Sequence, residues 1–204
     1  MSELVLRPAV APADLQAAYD IRRTVFVDEQ GVPLELERDE RDAEADHVLA
    51  VLDAVPVGAV RLVIEPAGFQ GLDLAYGPIA HLGRLAVLAS ARGLGIGAEL
   101  VRAVEELARQ QHRRAVYLGG QTQALGFYER LGYRPYGVEF DDAGLPHRHL
   151  ARVLKPETCS AARERTRYGA SVIVDVGQVS CTLPTESMAR AETFQVPDGR
   201  ATVV

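Results

Sequence analysis

The chain has 204 residues, a formal net charge of −6 and a hydrophobic share of 48%. This composition is typical of a globular protein, and the length suits one domain of ordinary size with an appendage. The negative charge gives no support to nucleic-acid binding, no apolar run is long enough for a membrane span, and two cysteines are too few for a disulfide framework. Because the first residues lack the basic, apolar start of a signal peptide, we expect a cytoplasmic protein.

The first part of the chain predicts a strand, a helix and a hairpin. A short strand over 4–8 ends at a proline, and an amphipathic helix follows from Pro12 to about residue 24. Residues 28–46 then hold nine acidic residues against only two arginines. This charge run predicts a solvated, mobile loop, with an acidic wall that attracts an amine as the alternative. Strands over 47–52 and 57–64 form an antiparallel hairpin.

The next part alternates strands and helices. The predicted elements are, in order, a strand, a helix, a strand, a helix and a final hairpin: 81–88, 98–111, 114–118, 122–131, and 133–140 with 147–154. From Pro156 the pattern loses its period, apart from a strand-like stretch over 171–183. We therefore expect one domain over 1–155 and a C-terminal extension of unknown structure over 156–204.

A glycine-rich turn separates the 81–88 strand from the helix that follows it. Such a turn exposes successive backbone N–H groups at a helix start, which suits a phosphate. A Walker loop is excluded because no Gly-Lys-Ser/Thr is present. The dinucleotide fingerprint matches at Gly93, Gly95 and Ala98, but the acidic residue that it requires after the next strand is missing. A third pattern, Gln/Arg-x-x-Gly-x-Gly/Ala, is filled by Arg92, Gly95 and Gly97. The alternative to all three phosphate-binding patterns is a glycine turn with only a structural role.

The third pattern resembles the pyrophosphate loop of the GNAT superfamily of N-acetyltransferases. The order of elements also resembles that of the superfamily, and residues 121–133 are similar to its second motif. Two further stretches, Val-Phe-Val-x-Glu-Gln-Gly-Val-Pro over 25–33 and Asp-x-Gly-Leu-Pro-His over 142–147, resemble the ElaA-like branch. The resemblance covers residues 3–154. It implies the GNAT acyl-CoA N-acyltransferase fold, an α/β (α+β) domain with a mixed central sheet flanked by helices.

The resemblance implies an acyltransferase that uses acetyl-CoA and transfers the acetyl group to a primary amine of a small molecule, by direct attack in a ternary complex. It places coenzyme A against these residues: Leu85, Ala86, Val87, Arg92, Gly93, Leu94, Gly95, Ile96, Gly97, Ala98, Gln121 and Phe127. At 85–87 the side chains are expected in the core and only the backbone binds. Gln121 replaces the usual asparagine, which leaves its hydrogen bond to the cofactor arm open.

The resemblance also implies catalytic residues. Tyr128 matches the tyrosine that protonates the leaving thiolate, and a phenol with a pKa of ~10 keeps its proton at neutral pH. His81 lies where some members place a catalytic glutamate, and histidine titrates near neutrality. A packed tyrosine and a strand-end histidine are the structural alternatives. Glu29 and His147, in the branch motifs, are secondary candidates for the base and for substrate contact. His147 and His149 alternate on one strand, but without a third ligand we expect no metal site.

Two other functions stay open at this point. Acyl-homoserine-lactone synthases share the fold and an Arg-x-x-Val-Phe-like start, which residues 22–26 match. Those enzymes favour acyl carrier protein, whereas the complete glycine turn favours coenzyme A. The third candidate is a non-catalytic, acyl-CoA-binding regulatory domain with the extension as its interaction element. The resemblance also allows a homodimer, and we expect neither a nucleic acid nor a membrane as a partner.

Overall fold

A computed structural model of the chain describes residues 2–155 and, as backbone, Ile173–Val174. The strands within these residues are β1 (Leu4–Pro8), β2 (Asp46–Leu52), β3 (Val55–Glu65), β4 (Ile79–Val87), β5 (Ala115–Gln121), β6 (Arg134–Asp142), β7 (Leu145–Val153) and β8 (Ile173–Val174). They form one sheet in the order β6-β7-β5-β4-β3-β2-β1-β8. The β4–β5 and β1–β8 pairs are parallel and the other pairs are antiparallel, so the sheet is mixed.

Helices connect the strands and cover the sheet. They are α1 (Pro12–Arg22), α2 (Leu34–Glu37), α3 (Ile96–Gln110) and α4 (Leu125–Arg130). The first of them begins with a proline, whose missing N–H needs no partner at that position, and continues as a π-helical segment over Arg23–Glu29. In the described part of the chain, no helix combines the length and the apolar character that a membrane span requires.

Strand β2 is buried on both of its faces, because its side chains alternate between two hydrophobic clusters. Val48 and Ala50 pack in the cluster that contains the apolar face of α3. Leu49 and Val51 pack in the cluster that contains Ala18 and other residues of α1. The two helices therefore cover opposite faces of the sheet, as in a three-layer domain.

The predicted fold class and element order are confirmed, and the predicted boundaries of the strands and of the later helices differ from the structure by at most three residues. Glycine-containing β5 extends to Gln121, past the predicted end at 118, because it pairs with β7 along its full length. The predicted extension over 156–204, including the strand-like stretch over 171–183, lies outside the described residues except for β8. That short strand pairs with β1 at two positions, Val5↔Ile173 and Leu6↔Val174.

The acidic stretch over 28–46 is not the solvated loop that its charge predicts. It folds into α2 and a short 3₁₀ turn over Glu40–Ala43, and two of its carboxylates are buried. Glu37 and Asp42 bind the guanidinium of Arg22, which has no solvent exposure, at N–O distances of 2.5 and 2.7 Å. The prediction is wrong because it compared the acidic residues only with arginines of the same stretch. Their partners come from α1 and, in the case of Arg61, from β3.

Candidate active site

A large cavity lies where the parallel strands β4 and β5 separate. The two strands pair only at Ala80↔Val116 and His81↔Tyr117, although β4 continues to Val87 and β5 to Gln121. A cavity of about 670 Å³ opens beyond these pairs. A cleft at the carboxyl ends of parallel strands is a common place for ligands in open α/β sheets, and this volume is in the range of small-molecule sites.

A bulge in β4 shapes one wall of the cavity. The register between β3 and β4 shifts between Gly83 and Ala86, so β4 carries one extra residue there. Arg84, in the bulge, has a φ of +53°, a conformation that costs a non-glycine residue on the order of 1 kcal/mol. Its guanidinium donates hydrogen bonds of 2.7 and 2.9 Å to two carbonyls of α2. These bonds hold the bulge, and with it the following main chain of β4, against α2.

The glycine turn leaves several amides free at the start of α3. Gly93 and Gly95 both have a φ of +80°, and Gly95 is the N-cap of this 15-residue helix. The amides of residues 93–97 donate to no acceptor among the described residues. Consecutive free N–H groups at a helix N-terminus form an anion-binding nest, because they point in one direction and add to the positive end of the helix dipole.

Arg92, at the rim of the turn, connects two predicted site residues. Its Nε donates to the carbonyl of Val87 at 2.9 Å, and its Nη2 donates to Glu29 at 2.5 Å. Glu29 lies at the end of the π-helical segment, so this ion pair joins the first branch motif to the glycine turn. An anion bound at the turn would compete with Glu29 for the Arg92 guanidinium.

The structure divides the residues predicted to bind coenzyme A into two groups. Six of them line the cavity: Leu85, Val87, Arg92, Gly97, Gln121 and Phe127. The others are not among the lining residues and lie on β4, on the glycine turn or in the first turn of α3: Ala86, Gly93, Leu94, Gly95, Ile96 and Ala98. Ala86 and Ile96 have buried side chains in the core, which leaves only their main chain for a ligand.

Gln121 is held at the cavity wall by two other glutamines. Its Nε2 donates to Oε1 of Gln30 at 2.8 Å, and its Oε1 accepts from Nε2 of Gln123 at the same distance. Gln30 belongs to the first branch motif, so this motif contacts the second superfamily motif as well as the glycine turn. Gln121 thus links Gln30 and Gln123 at the cavity wall.

Tyr128 projects from α4 and lines the cavity. Only 8% of the residue is exposed, and burial raises the pKa of its phenol to about 12. The hydroxyl therefore keeps its proton throughout the neutral range. None of the described residues hydrogen-bonds to it, which leaves the O–H free to donate to a group in the cavity.

His81 lies on β4, where the pairing with β5 ends. Its Nδ1 is 2.8 Å from Oε1 of Glu65, which also accepts a hydrogen bond from Arg41. Because Nδ1 faces this carboxylate, Nε2 is the ring nitrogen left for chemistry. It lies 4.0 Å from the place that a Cβ would occupy at Gly83, and it lines the cavity. Burial lowers the pKa of His81, while Glu65 raises it without compensating fully. The neutral imidazole, which can accept a proton, is therefore favoured.

Glu65 is a site residue that the sequence analysis missed. It is buried, and it lies on the same face of β3 as Val63, which pairs with His81. The strand register that brings Glu65 to the imidazole is set by tertiary pairing. The sequence carries only a weak signal for it, an acidic residue directly after an apolar strand.

The two histidines of β7 point to the same side of the strand, as their spacing predicts. Both rings contact Phe140, with centroid distances of 5.8 Å for His147 and 4.4 Å for His149. His147 lines the cavity, and its Nδ1 hydrogen-bonds to the carbonyl of Leu145. The Nδ1 of His149 lies 2.9 Å from the hydroxyl of Tyr117. The described residues contain no group of three or more His, Cys, Asp or Glu that could hold a metal ion.

Comparison with known proteins agrees with this geometry. The sequence profile of the Acetyltransferase (GNAT) family matches residues 15–133. This chain belongs to the GNAT family. YjcF of Bacillus subtilis (strain 168), named as an uncharacterized N-acetyltransferase, is 37% identical over 139 residues, which are 68% of this chain and 91% of YjcF.

The resemblance to ElaA is also confirmed. ElaA of Escherichia coli (strain K12) is 26% identical over 142 residues, 69% of this chain and 88% of ElaA. The crystal structure of E. coli ElaA aligns with a TM-score of 0.60 at 25% identity and covers 74% of this chain and 99% of that one. BjaI, a CoA-dependent acyl-homoserine lactone synthase, aligns over 88% of this chain and 96% of its own with a TM-score of 0.62. At 18% identity, this alignment shows only that the two chains have the same fold.

Proposed function

We propose that this GNAT protein transfers an acetyl group from acetyl-CoA to a primary amine of a small molecule, by direct attack of the amine in a ternary complex. The observation that carries the proposal is the run of free amides over 93–97, which opens beside a cavity lined by His81 and Tyr128. Membership of the family supports an acyl-CoA donor. The electrostatics of the turn suit a pyrophosphate in particular.

Coenzyme A would supply the acetyl group as an activated thioester. Its pyrophosphate suits the amides of 93–97, and Arg92 adds a cation at the same rim. The pantetheine arm suits the edge of β4 beyond His81, where β5 no longer pairs with it. An extended arm with amide groups can hydrogen-bond to such an edge in the manner of an added strand.

The amine acceptor needs a base, since an alkylammonium with a pKa of ~10.4 is mostly protonated at neutral pH. In the proposed mechanism Nε2 of His81 takes this proton, and Glu65 at Nδ1 stabilises the imidazolium that results. The neutral amine nitrogen then forms a bond to the acetyl carbonyl carbon, and the bond from that carbon to sulfur breaks. The second proton that the nitrogen loses as the amide forms neutralises the departing thiolate, so the products are the amide, free coenzyme A thiol and protonated His81.

Tyr128 is proposed to act on the leaving sulfur. A thiol has an ordinary pKa of ~8.5, well below the value of about 12 to which burial raises the pKa of this phenol. Full proton transfer from Tyr128 to a thiolate is therefore uphill. The hydroxyl would instead stabilise the developing thiolate mainly by donating a hydrogen bond, which refines the proton transfer implied by the family resemblance.

Release of free thiol from acetyl-CoA in the presence of a panel of amines tests the proposed activity. Amine-dependent release is expected for a transferase. A non-catalytic acyl-CoA-binding domain would bind acetyl-CoA in a calorimeter and release no thiol with any amine.

Substitutions at Gly97 test the phosphate site. Gly97→Asp should abolish acetyl-CoA binding in calorimetry, because it places a negative charge where the pyrophosphate is proposed to lie. Gly97→Asn has the same size without the charge and should bind more tightly than Gly97→Asp. Gly97→Ala is the control, since its Cβ would lie 3.5 Å from Phe127, an ordinary contact. Gly95→Asp should also abolish binding, but the φ of +80° at that position adds backbone strain. Unchanged affinity in folded Gly97→Asp would overturn the proposal.

A further inference from the structure

Aromatic side chains are concentrated at the cavity. The chain has five phenylalanines, and all four that lie within the described residues line it: Phe26, Phe69, Phe127 and Phe140. Each of them is only partly buried, whereas the core on both faces of the sheet is filled mainly by leucine, valine, isoleucine and alanine. Large apolar rings left accessible in a concave site are typical of a surface that binds an apolar ligand.

Two aromatic side chains, Phe69 and Tyr117, contact the imidazole of the proposed base. The His81 ring lies 4.9 Å from Tyr117 and 5.7 Å from Phe69, and Phe69 and Tyr117 are themselves 5.3 Å apart. An acceptor must bring its nitrogen to Nε2 of His81. The group attached to that nitrogen must then lie against these rings, so they flank the acceptor and not the glycine turn.

The floor between the rings carries no side chain, because it is formed by Gly83 of β4 and Gly119 of β5. A Cβ at Gly83 would come near His81 Nε2 alone, at 4.0 Å. A Cβ at Gly119 would lie 3.3 Å from Cζ of Phe140 and 3.9 Å from the hydroxyl of Tyr117. The space above the two glycines is therefore bounded by ring atoms, and its shape suits a flat group.

Most charged side chains near this half of the cavity form ion pairs with one another. Glu65 pairs with Arg41, and Arg84 pairs with Asp39. Glu37 is buried and pairs with Arg22. Asp142 lies at the exposed rim. A polycationic acceptor would thus meet paired carboxylates and aromatic rings over most of its length, which favours an acceptor with a single amine on an apolar body.

We infer that the acceptor is a primary alkylamine that carries an aromatic ring, with the amine at His81 and the ring lying against Phe69, Tyr117 and Phe140 above the two glycines. This inference rests on the proposed acetyl transfer. It names the class of amine that the same site takes, because aromatic rings pack on one another in offset or edge-to-face geometry that a saturated ring cannot reproduce.

The test compares 2-phenylethylamine, 2-cyclohexylethylamine and spermidine as acceptors for the full-length protein with acetyl-CoA. We expect kcat/KM for 2-phenylethylamine to be roughly threefold to tenfold higher than kcat/KM for 2-cyclohexylethylamine. We expect it to be more than about tenfold higher than kcat/KM for spermidine. Phe69→Leu and Phe140→Leu should each lower the phenyl-to-cyclohexyl ratio relative to the wild type. Comparing ratios between variants cancels the intrinsic difference in reactivity between the two amines.

Phe127→Leu is the matched control, because it makes the same change at the end of the cavity next to Gly97. It should leave the phenyl-to-cyclohexyl ratio at the wild-type value, while its affinity for acetyl-CoA is measured separately. Gly83→Ala is an independent variant at a position where the backbone accepts alanine. Its methyl group should raise KM for 2-phenylethylamine several-fold, by a larger factor than it changes the Kd for acetyl-CoA.

The outcomes separate this inference from the proposed function. A preference for spermidine, or a phenyl-to-cyclohexyl ratio that stays the same in Phe69→Leu and Phe140→Leu, would overturn the inference and leave acetyl transfer intact. Preference for phenylacetyl-CoA over acetyl-CoA with hexylamine, lost in Phe69→Leu, would place the rings around the acyl group and overturn it too. The absence of thiol release with every amine would instead overturn the proposed function.

Discussion

Opposing influences act on the pKa of His81. Burial among Phe69 and Tyr117 lowers the pKa of the imidazole, and the carboxylate of Glu65 raises it. The first influence is the larger, so the imidazole is neutral, and can accept a proton, from a pH below its ordinary value upward. Glu65 still fixes the ring by its bond to Nδ1, so orientation and basicity come from the same contact.

The pH dependence of turnover tests His81 as the base. In the wild type, kcat/KM for a good amine should rise with pH through an apparent pKa below 6.5, because only the neutral imidazole accepts the proton. His81→Ala should lower the rate about a hundredfold near neutrality and recover in part at high pH, where free amine is abundant. His81→Glu should keep measurable activity. A profile for His81→Ala that overlays the wild type would assign proton removal to solvent or to Glu29.

Glu65→Gln tests whether Glu65 positions and tunes His81. It removes a negative charge that raises the pKa of the imidazole, so the acidic limb of the pH–rate profile should move to lower pH while kcat falls several-fold. Arg41→Gln removes a positive charge that lowers the same pKa and should move the limb to higher pH. If Glu65 were merely structural, its substitution would reduce activity without moving the limb.

Tyr128→Phe removes one hydroxyl from a buried ring and leaves its packing in place. If the hydroxyl stabilises the leaving thiolate, kcat should fall roughly tenfold to a hundredfold, since this contact strengthens in the transition state. The Kd for acetyl-CoA, measured by calorimetry, should stay within about twofold of the wild type. Wild-type turnover in this variant would assign Tyr128 to packing alone.

At the scale of elements, the acidic segment after α1 is held by a buried ionic cluster. Burial raises the pKa of Asp42, but its bonds and charge interactions with Arg22 and Arg61 outweigh burial and lower that pKa to about 2. A carboxyl group whose pKa is lower in the folded state than in the unfolded state stabilises the fold above its unfolded value. For Asp42 this contribution is about 2 kcal/mol at neutral pH, and it is lost as the pH falls from about 4 towards 2.

Arg22→Met tests the weight of this cluster. The change keeps most of the side-chain volume but leaves the buried carboxylate of Glu37 without its charged partner and that of Asp42 with Arg61 alone. We expect a loss of about 3–5 kcal/mol in the free energy of unfolding, and a fall of roughly 10 °C in Tm by calorimetry. Arg7→Met is the control, because the Arg7–Asp14 pair is partly exposed and should contribute at most about 1 kcal/mol. Equal losses in the two variants would show that the buried cluster adds no special stability.

The elements that the sequence predicts well are those whose signal is local. The periodicity of α3, the apolar runs of β2 and β4, and the glycines of the turn each lie within a few residues of one another. The cluster around Arg22 is not local in this sense, since its partners lie 15 and 20 residues away along the chain. A count of charges in one stretch cannot detect such pairs.

The candidate site was predictable in part for the same reason. Its motif residues, such as Gly97, Gln121 and Tyr128, could be assigned from short patterns, and the structure places all three at one cavity. The bulge at Arg84 and the contact between Glu65 and His81 depend on strand register instead. The aromatic residues at the acceptor end of the cavity, Phe69, Tyr117 and Phe140, come from different elements, so no window of sequence contains all three.

At the scale of the whole molecule, the first branch motif joins the two superfamily motifs. Glu29 bonds to Arg92 of the glycine turn, 63 residues away in sequence, and Gln30 bonds to Gln121, 91 residues away. Both contacts lie at the wall of the same cavity. The segment after α1 therefore forms part of the cavity wall and connects the glycine turn to Gln121, at the end of β5.

The described lining of the cavity comes from residues 25–147, and β8 pairs with β1 at the edge of the sheet remote from β5. We therefore predict that a chain ending at Lys155 binds acetyl-CoA in a calorimeter within about threefold of the full-length Kd and keeps its amine-dependent thiol release. Its Tm should fall by only a few degrees, since β8 contributes two paired positions to β1. If the shortened chain melts cooperatively but binds acetyl-CoA more than about tenfold more weakly, residues 156–204 take part in the site. The regulatory role considered for the extension would then have direct support.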